Sequence, residues 1–94
     1  MITVIIQIGN SDDKLTQSRW SRYVHRMQRA IDIEAHGIEF SGGAPNWKPW
    51  QNYCWVITIN PLSRLPRLED VIERIRKRYN QDSVAITIGT TKFI

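Results

Sequence analysis

Three observations predict that this sequence folds as a two-layer α+β sandwich. Four short segments alternate apolar and polar residues, two longer segments repeat apolar residues at helical spacing, and the order along the chain is β-α-β-β-α-β. Right-handed crossovers applied to that order give the ferredoxin-like arrangement, a four-stranded antiparallel sheet with both helices on one face.

The first strand covers residues 2–8. Ile2, Val4, Ile6 and Ile8 share one face, with Thr3, Ile5 and Gln7 on the other; Ile5 on that second face points to a central strand. Gly9-Asn10-Ser11 ends it. Thr16 is the expected N-cap of the first helix. Ser11 is the alternative start, with Asp12 and Asp13 suited to the positive helix end. Trp20, Tyr23, Val24, Met27, Ala30 and Ile31 lie on one helical face, which predicts a helix to about Ile31. Residues 36–41 read as a second strand, and 42–52 as a long connection rich in Gly and Pro that carries two tryptophans. Residues 53–59 form the third strand, with Tyr53, Trp55, Ile57 and Ile59 opposite Cys54, Val56 and Thr58. Pro66 suits the opening of the second helix, whose stripe is Leu68, Val71, Ile72, Ile75 and Tyr79. Val84, Ile86 and Ile88 alternate with Ala85 and Thr87 in the fourth strand, leaving 89–94 as a tail or a further edge strand.

At 94 residues the chain makes a single domain, 1–94, with one modest core. A hydrophobic fraction of 41% with 23% charged residues describes a globular chain. No run is long enough to cross a membrane, and the apolar start lacks the basic flank of a signal peptide, so a cytoplasmic protein is expected. Cys54 is the single cysteine and reads as a small buried hydrophobe. His25 and His36 stand in no metal-ligand or catalytic spacing, so neither a metal nor a cofactor is expected. The net charge of +4 favours anionic partners. With both helices on one side, the opposite sheet face needs a cover: a second subunit, a ligand or nucleic acid. A homodimer is the expectation.

Three constellations carry chemistry. In the turn after the first strand, Asn10, Ser11, Asp12, Lys14 and Gln17 could form a ligand pocket, with backbone N–H groups and Lys14 for an anion and the aspartates for ribose or base donors. The same residue types also make ordinary turns and caps, and that reading stays open. In the connection, Trp47 and Trp50 either plug the core or stack on a flat ligand, beside Gln51 and Asn52. Arg19, Arg22, Arg26 and Arg29 form a basic stripe on the first helix, either a phosphate-tracking surface or a solvated face. Arg74, Arg76, Lys77 and Arg78 of the second helix, balanced by Glu69, Asp70 and Glu73, read as a solvated face. The element order is shared with the RNA-recognition motif, but the first strand offers no aromatic for stacking.

The opening Ile8-Gly9-Asn10-Ser11-Asp12-Asp13-Lys14-Leu15-Thr16-Gln17, followed by Trp20 and Tyr23-Val24, resembles a pattern in small accessory proteins of bacteriophages and their actinobacterial hosts. Pro49-Trp50-Gln51-Asn52, Trp55 and Gln81-Asp82-Ser83 extend the resemblance over most of the chain. It brings no assigned activity. It implies an accessory phage protein acting in the host cytoplasm, of the kind that blunts host defence, in some cases by sequestering nucleotide signals.

The expectation from the sequence is a non-enzymatic binding protein for a nucleotide-like polar aromatic anion, held between the Asn10–Lys14 turn and the Trp47/Trp50 loop. Two alternatives stand beside it: a dimeric α+β barrel enzyme with a cofactor-free pocket, and a basic inhibitor that binds a host protein or nucleic acid.

Overall fold

The computed structural model describes residues 2–45 and 47–94; Asn46, in the loop that carries Trp47 and Trp50, lies outside them. The elements are β1 (Ile2–Gly9), α1 (Gln17–Glu34), β2 (Gly37–Gly43), β3 (Asn52–Thr58), α2 (Leu65–Arg78) and β4 (Ala85–Thr90). Short 3-10 turns at Ser11–Asp13 and Leu62–Arg64 follow β1 and precede α2. The strands lie in the order β2-β3-β1-β4, every neighbouring pair antiparallel. This is the ferredoxin-like α+β fold expected from the element order.

The period-two pattern sets the two faces of the sheet. Val4 pairs with Ile57, Ile6 with Trp55 and Ile8 with Tyr53, and because residues opposite one another share a face, all six point to the helices. Val4, Ile6, Trp55 and Ile57 are wholly buried against Trp20, Tyr23, Met27, Ile31 and Leu68. The Trp55 indole N–H donates to Gln28 Oε1 of α1 at 2.7 Å, so the largest ring of the sheet is also hydrogen-bonded to the helix above it. Thr3, Ile5 and Gln7 face away, as do Thr58, Val56 and Cys54 opposite them. Cys54 is therefore only half-buried, on the side no helix covers, rather than inside the core as expected.

Several boundaries differ from the expectation. Thr16 does cap α1, its hydroxyl accepting from Arg19 N–H at 3.2 Å. The helix continues to Glu34, three residues past Ile31; Glu34 is buried, with its carboxylate 3.9 Å from Arg64. The 3-10 turn at Ser11–Asp13 is separate from α1. β2 starts at Gly37 and runs through Gly42 and Gly43, which pair with Cys54 and Tyr53. Glycine reads as a turn in sequence, but at Gly43 any Cβ would collide with the Asn52 carbonyl, so the close approach of β3 demands it. Ile59 lies just beyond β3 yet remains buried. β4 absorbs Gly89 and Thr90, and residues 91–94 add no strand.

Register also fixes which ends meet. Gly9 pairs with Asn52, Gln7 with Ala85 and Gly43 with Tyr53. The end of β1, the end of β2, and the starts of β3 and β4 therefore share one edge of the sheet. The N-terminus of α1 and the C-terminus of α2 attach to that same edge, so the helices run antiparallel to each other.

Tyr23 lies at the centre of the helix layer, between Trp20 and Tyr79, with ring centroids 5.9 and 5.1 Å away. Burial pushes its pKa from 10.0 up to about 12, against a smaller opposing effect of the Arg76 charge. Below pH 10 both folded and unfolded chains keep the phenol proton. Between 10 and about 12 the unfolded chain releases it more readily, so stability falls as pH rises, by about 1 kcal/mol per pH unit. Urea unfolding of wild type and Tyr23→Phe across that range should show this extra loss in the wild type alone.

Candidate functional site

The shared edge gathers the turn after β1, the loop before β3 and the turn before β4. Asn10 organises them. Its side-chain N–H₂ donates to the Leu15 carbonyl at 2.9 Å and to Gln51 Oε1 at 2.8 Å, and its Oδ1 accepts from Leu15 N–H at 2.9 Å. Its backbone N–H donates to the Gln51 carbonyl at 3.1 Å. Asn10 and Gln51 are both buried. The amide of Asn10 is thus engaged within the protein, and the residue joins two loops forty-one positions apart.

The turn before β4 is tied in similarly. Ser11 N–H donates to Gln81 Oε1 at 2.7 Å, and Ser11 Oγ accepts from Asp82 N–H at 3.2 Å. Lys14 reaches Asp82 at 3.0 Å and the Asn80 carbonyl at 3.2 Å. Its charge is paired, and the adjoining Asp12 and Asp13 are exposed. Asn52 bridges its own loop, accepting from Ala44 N–H and donating to the Trp50 carbonyl.

Gln51 divides the expected pocket into two clefts. On the sheet side, a cleft of about 470 Å³ is lined by Gln7, Asn10, Ser11, Asp12, Trp50 and Ser83 among others. On the helix side, one of about 320 Å³ holds Asp13, Gln17, Trp47 and Lys48. Trp47 and Trp50 are 72% and 77% exposed, so neither plugs the core. Lys48 stands 5.5 Å from the centroid of the Trp47 ring. Trp50 has φ of 60°, a left-handed conformation that costs a bulky residue about 1–2 kcal/mol. Buried Gln51 on one side and the Asn52 bridge on the other hold it there. No cation lines the Trp50 cleft among the described residues.

The cations gather on the helix layer. Antiparallel packing sets the last turn of α2 against the first turns of α1. A groove of about 470 Å³ there is lined by Arg19, Arg22, Arg26 and Arg78, with Ser21, His25 and Tyr79. The Arg19 guanidinium lies 5.3 Å from the Tyr79 ring centroid. Among the described residues, ion pairs involve Lys14, Arg64, Arg74, Arg76 and Lys77. Arg19, Arg22, Arg26 and Arg78 have none. A second groove of about 260 Å³ continues past Arg26 and Arg78 to Arg74. Arg29 lines neither groove. Arg78 was the member that sequence reasoning set aside; only the antiparallel helix pairing brings it to the α1 stripe. Among the described residues, no group of three His, Cys, Asp or Glu side chains could hold a metal ion.

No family model matches the sequence, and no curated protein does either. Solved structures do match. The chain is similar to the de novo designed protein Foldit4, with TM-score 0.67 and 17% identity over 97% of this chain and 98% of that one. It is also similar to a putative antibiotic biosynthesis monooxygenase from Deinococcus radiodurans, with TM-score 0.58 and 13% identity over 100% of this chain and 95% of that one. At such identities the likeness is one of fold.

The two prominent side chains of the edge should respond oppositely to mutation. Asn10→Ala removes the bonds to Leu15 N–H, the Leu15 carbonyl and Gln51 Oε1 and should lower stability by about 2–3 kcal/mol. Trp50→Gly relieves the left-handed strain and should be neutral or stabilising by up to about 1 kcal/mol. Urea titration followed by far-ultraviolet circular dichroism measures both.

Proposed function

We propose that the protein is a non-enzymatic binding protein for a nucleotide-like, phosphate-bearing aromatic ligand, and that the groove between α1 and α2 binds the phosphate. The observation that carries this reading is the convergence of Arg19, Arg22, Arg26 and Arg78 on one groove with no ion pair on any of them. Four uncompensated guanidinium groups repel one another, and a phosphate relieves that repulsion while accepting paired N–H donors from each planar fork. Guanidinium planes also stack on nucleobases. A volume of about 470 Å³ lies in the range of small-molecule sites.

This reading moves the anion away from the Asn10–Lys14 turn, where Lys14 is already paired and the neighbouring side chains are acidic. The exposed rings of Trp47 and Trp50 remain as stacking surfaces at the same edge of the molecule. The resemblance to phage accessory proteins extends the proposal to biology: a nucleotide signal of host defence, held in the host cytoplasm rather than cleaved.

Calorimetric titration with ATP, a cyclic dinucleotide, ADP-ribose and adenosine tests the reading. Saturable binding of phosphorylated ligands is expected, weakening with added salt, with adenosine at least about tenfold weaker. Arg22→Ala and Arg78→Ala should each weaken binding about tenfold or more, the loss of one charge-assisted contact. Absence of saturable binding to every phosphorylated ligand would refute it.

A further inference from the structure

The sheet face turned away from the helices carries no charged side chain across its middle. Ile5, Val56, Cys54, Thr87 and Ala85 occupy it, and Phe40 of β2 stands at its side, 56% exposed. Glu39 comes near it only at the corner, with its carboxylate beside Gly37 and Thr58. The arginine groove lies on the opposite side of the molecule, behind the helix layer. We infer that this face binds a second copy of the same chain, two-fold related and packed sheet against sheet.

Charge selects that occupant. A nucleic acid needs cations to neutralise its phosphates, and among the described residues the middle of this face offers none. In a two-fold interface each patch meets its own copy, so any central charge would face a like charge. This patch avoids that penalty, and sheet-to-sheet stacking places the two basic helix layers as far apart as the dimer allows. Size agrees as well. Four strands spaced about 4.8 Å apart and about six residues long span a plane of roughly 400 Å². Corrugation and the flanking rings of Phe40 and Trp50, at about 150 Å² each, bring it toward the about 800 Å² per partner of a stable interface.

Pairing also completes a site. The Trp50 cleft opens onto this face through Gln7 and Ala85. A second sheet about 10 Å away roofs it and turns an open cleft into an enclosed one. Trp50, held in its left-handed conformation, would then stand at the mouth of that cavity.

Light scattering on the ligand-free protein decides the matter independently of any nucleotide. The wild type should show twice the 11.0 kDa chain mass. Val56→Glu should give a monomer with unchanged circular dichroism, and Glu69→Lys, on the exposed side of α2, should remain dimeric. Thr87→Lys, an exposed substitution on β4, should also give a monomer and decides the point if Val56→Glu does not fold. In the dimer Cys54 should react with a bulky thiol reagent at least about tenfold more slowly than in the monomeric variant. A monomeric wild type at roughly 100 µM, or a dimer that survives Thr87→Lys, would overturn the inference.

Discussion

The buried amide of Asn10 is the constraint on which the rest of this edge depends. One side chain fixes the exit of the central strand to the start of α1 through Leu15, and to the loop before β3 through Gln51. The three groups it joins are buried, so each bond is expensive to leave unmade. The consequence is positional. Gln51 is pinned over the end of β1, which sends Trp50 to the sheet side and Trp47 to the helix side. Lys14 is drawn toward Asp82 rather than left to a ligand. Residues that look like ligand-reading groups in sequence are, in the folded chain, the ties that shape the walls of two clefts.

Charge is segregated by layer. The helix layer presents an arginine groove, the end of the sheet presents Asp12 and Asp13 with exposed aromatic rings, and the middle of the open sheet face carries no charge among the described residues. Arg78 belongs to this pattern by helix polarity as well as by packing, since a cation in the last turn of a helix is favoured by the terminal carbonyls. Arg74, Arg76 and Lys77 find acidic partners on α2 itself, at Asp70 and Glu73. Among the described residues, these cations are paired within their own helix, whereas Arg19, Arg22, Arg26 and Arg78 carry no ion pair.

Much of the fold was legible because period-two and helical spacing report burial directly. Val4, Ile6 and Ile8, Trp55 and Ile57, and the stripe from Trp20 to Ile31 all point where the spacing says. Legibility ended where a local signal was overridden by a distant neighbour. Gly42 and Gly43 read as a turn but form the end of β2, and at Gly43 the β3 backbone approaches too closely for a side chain. The apolar stripe of α1 stops at Ile31, yet the helix runs three residues further to Glu34, whose buried carboxylate lies near Arg64, thirty residues away. Cys54 reads as core, and only strand parity places it on the uncovered face. The closeness of the Asn10 turn and the Trp50 loop was readable, since both follow from strand ends that the topology must bring together. Which of their polar groups would be consumed was not, because the Asn10–Gln51 bond is a tertiary event with no signature in either segment.

The left-handed Trp50 connects these threads. A bulky residue at positive φ persists only where its surroundings hold it more strongly than the strain expels it. Here the buried Gln51 and the Asn52 bridge supply that hold. The conformation nonetheless gives the monomer no packing in return, since the ring remains largely in solvent. A strained, exposed tryptophan at the rim of a neutral sheet face is understandable if the ring is to be covered by something outside the chain. Covering it with a second sheet recovers the apolar burial that the single chain forgoes, and leaves both arginine grooves facing outward.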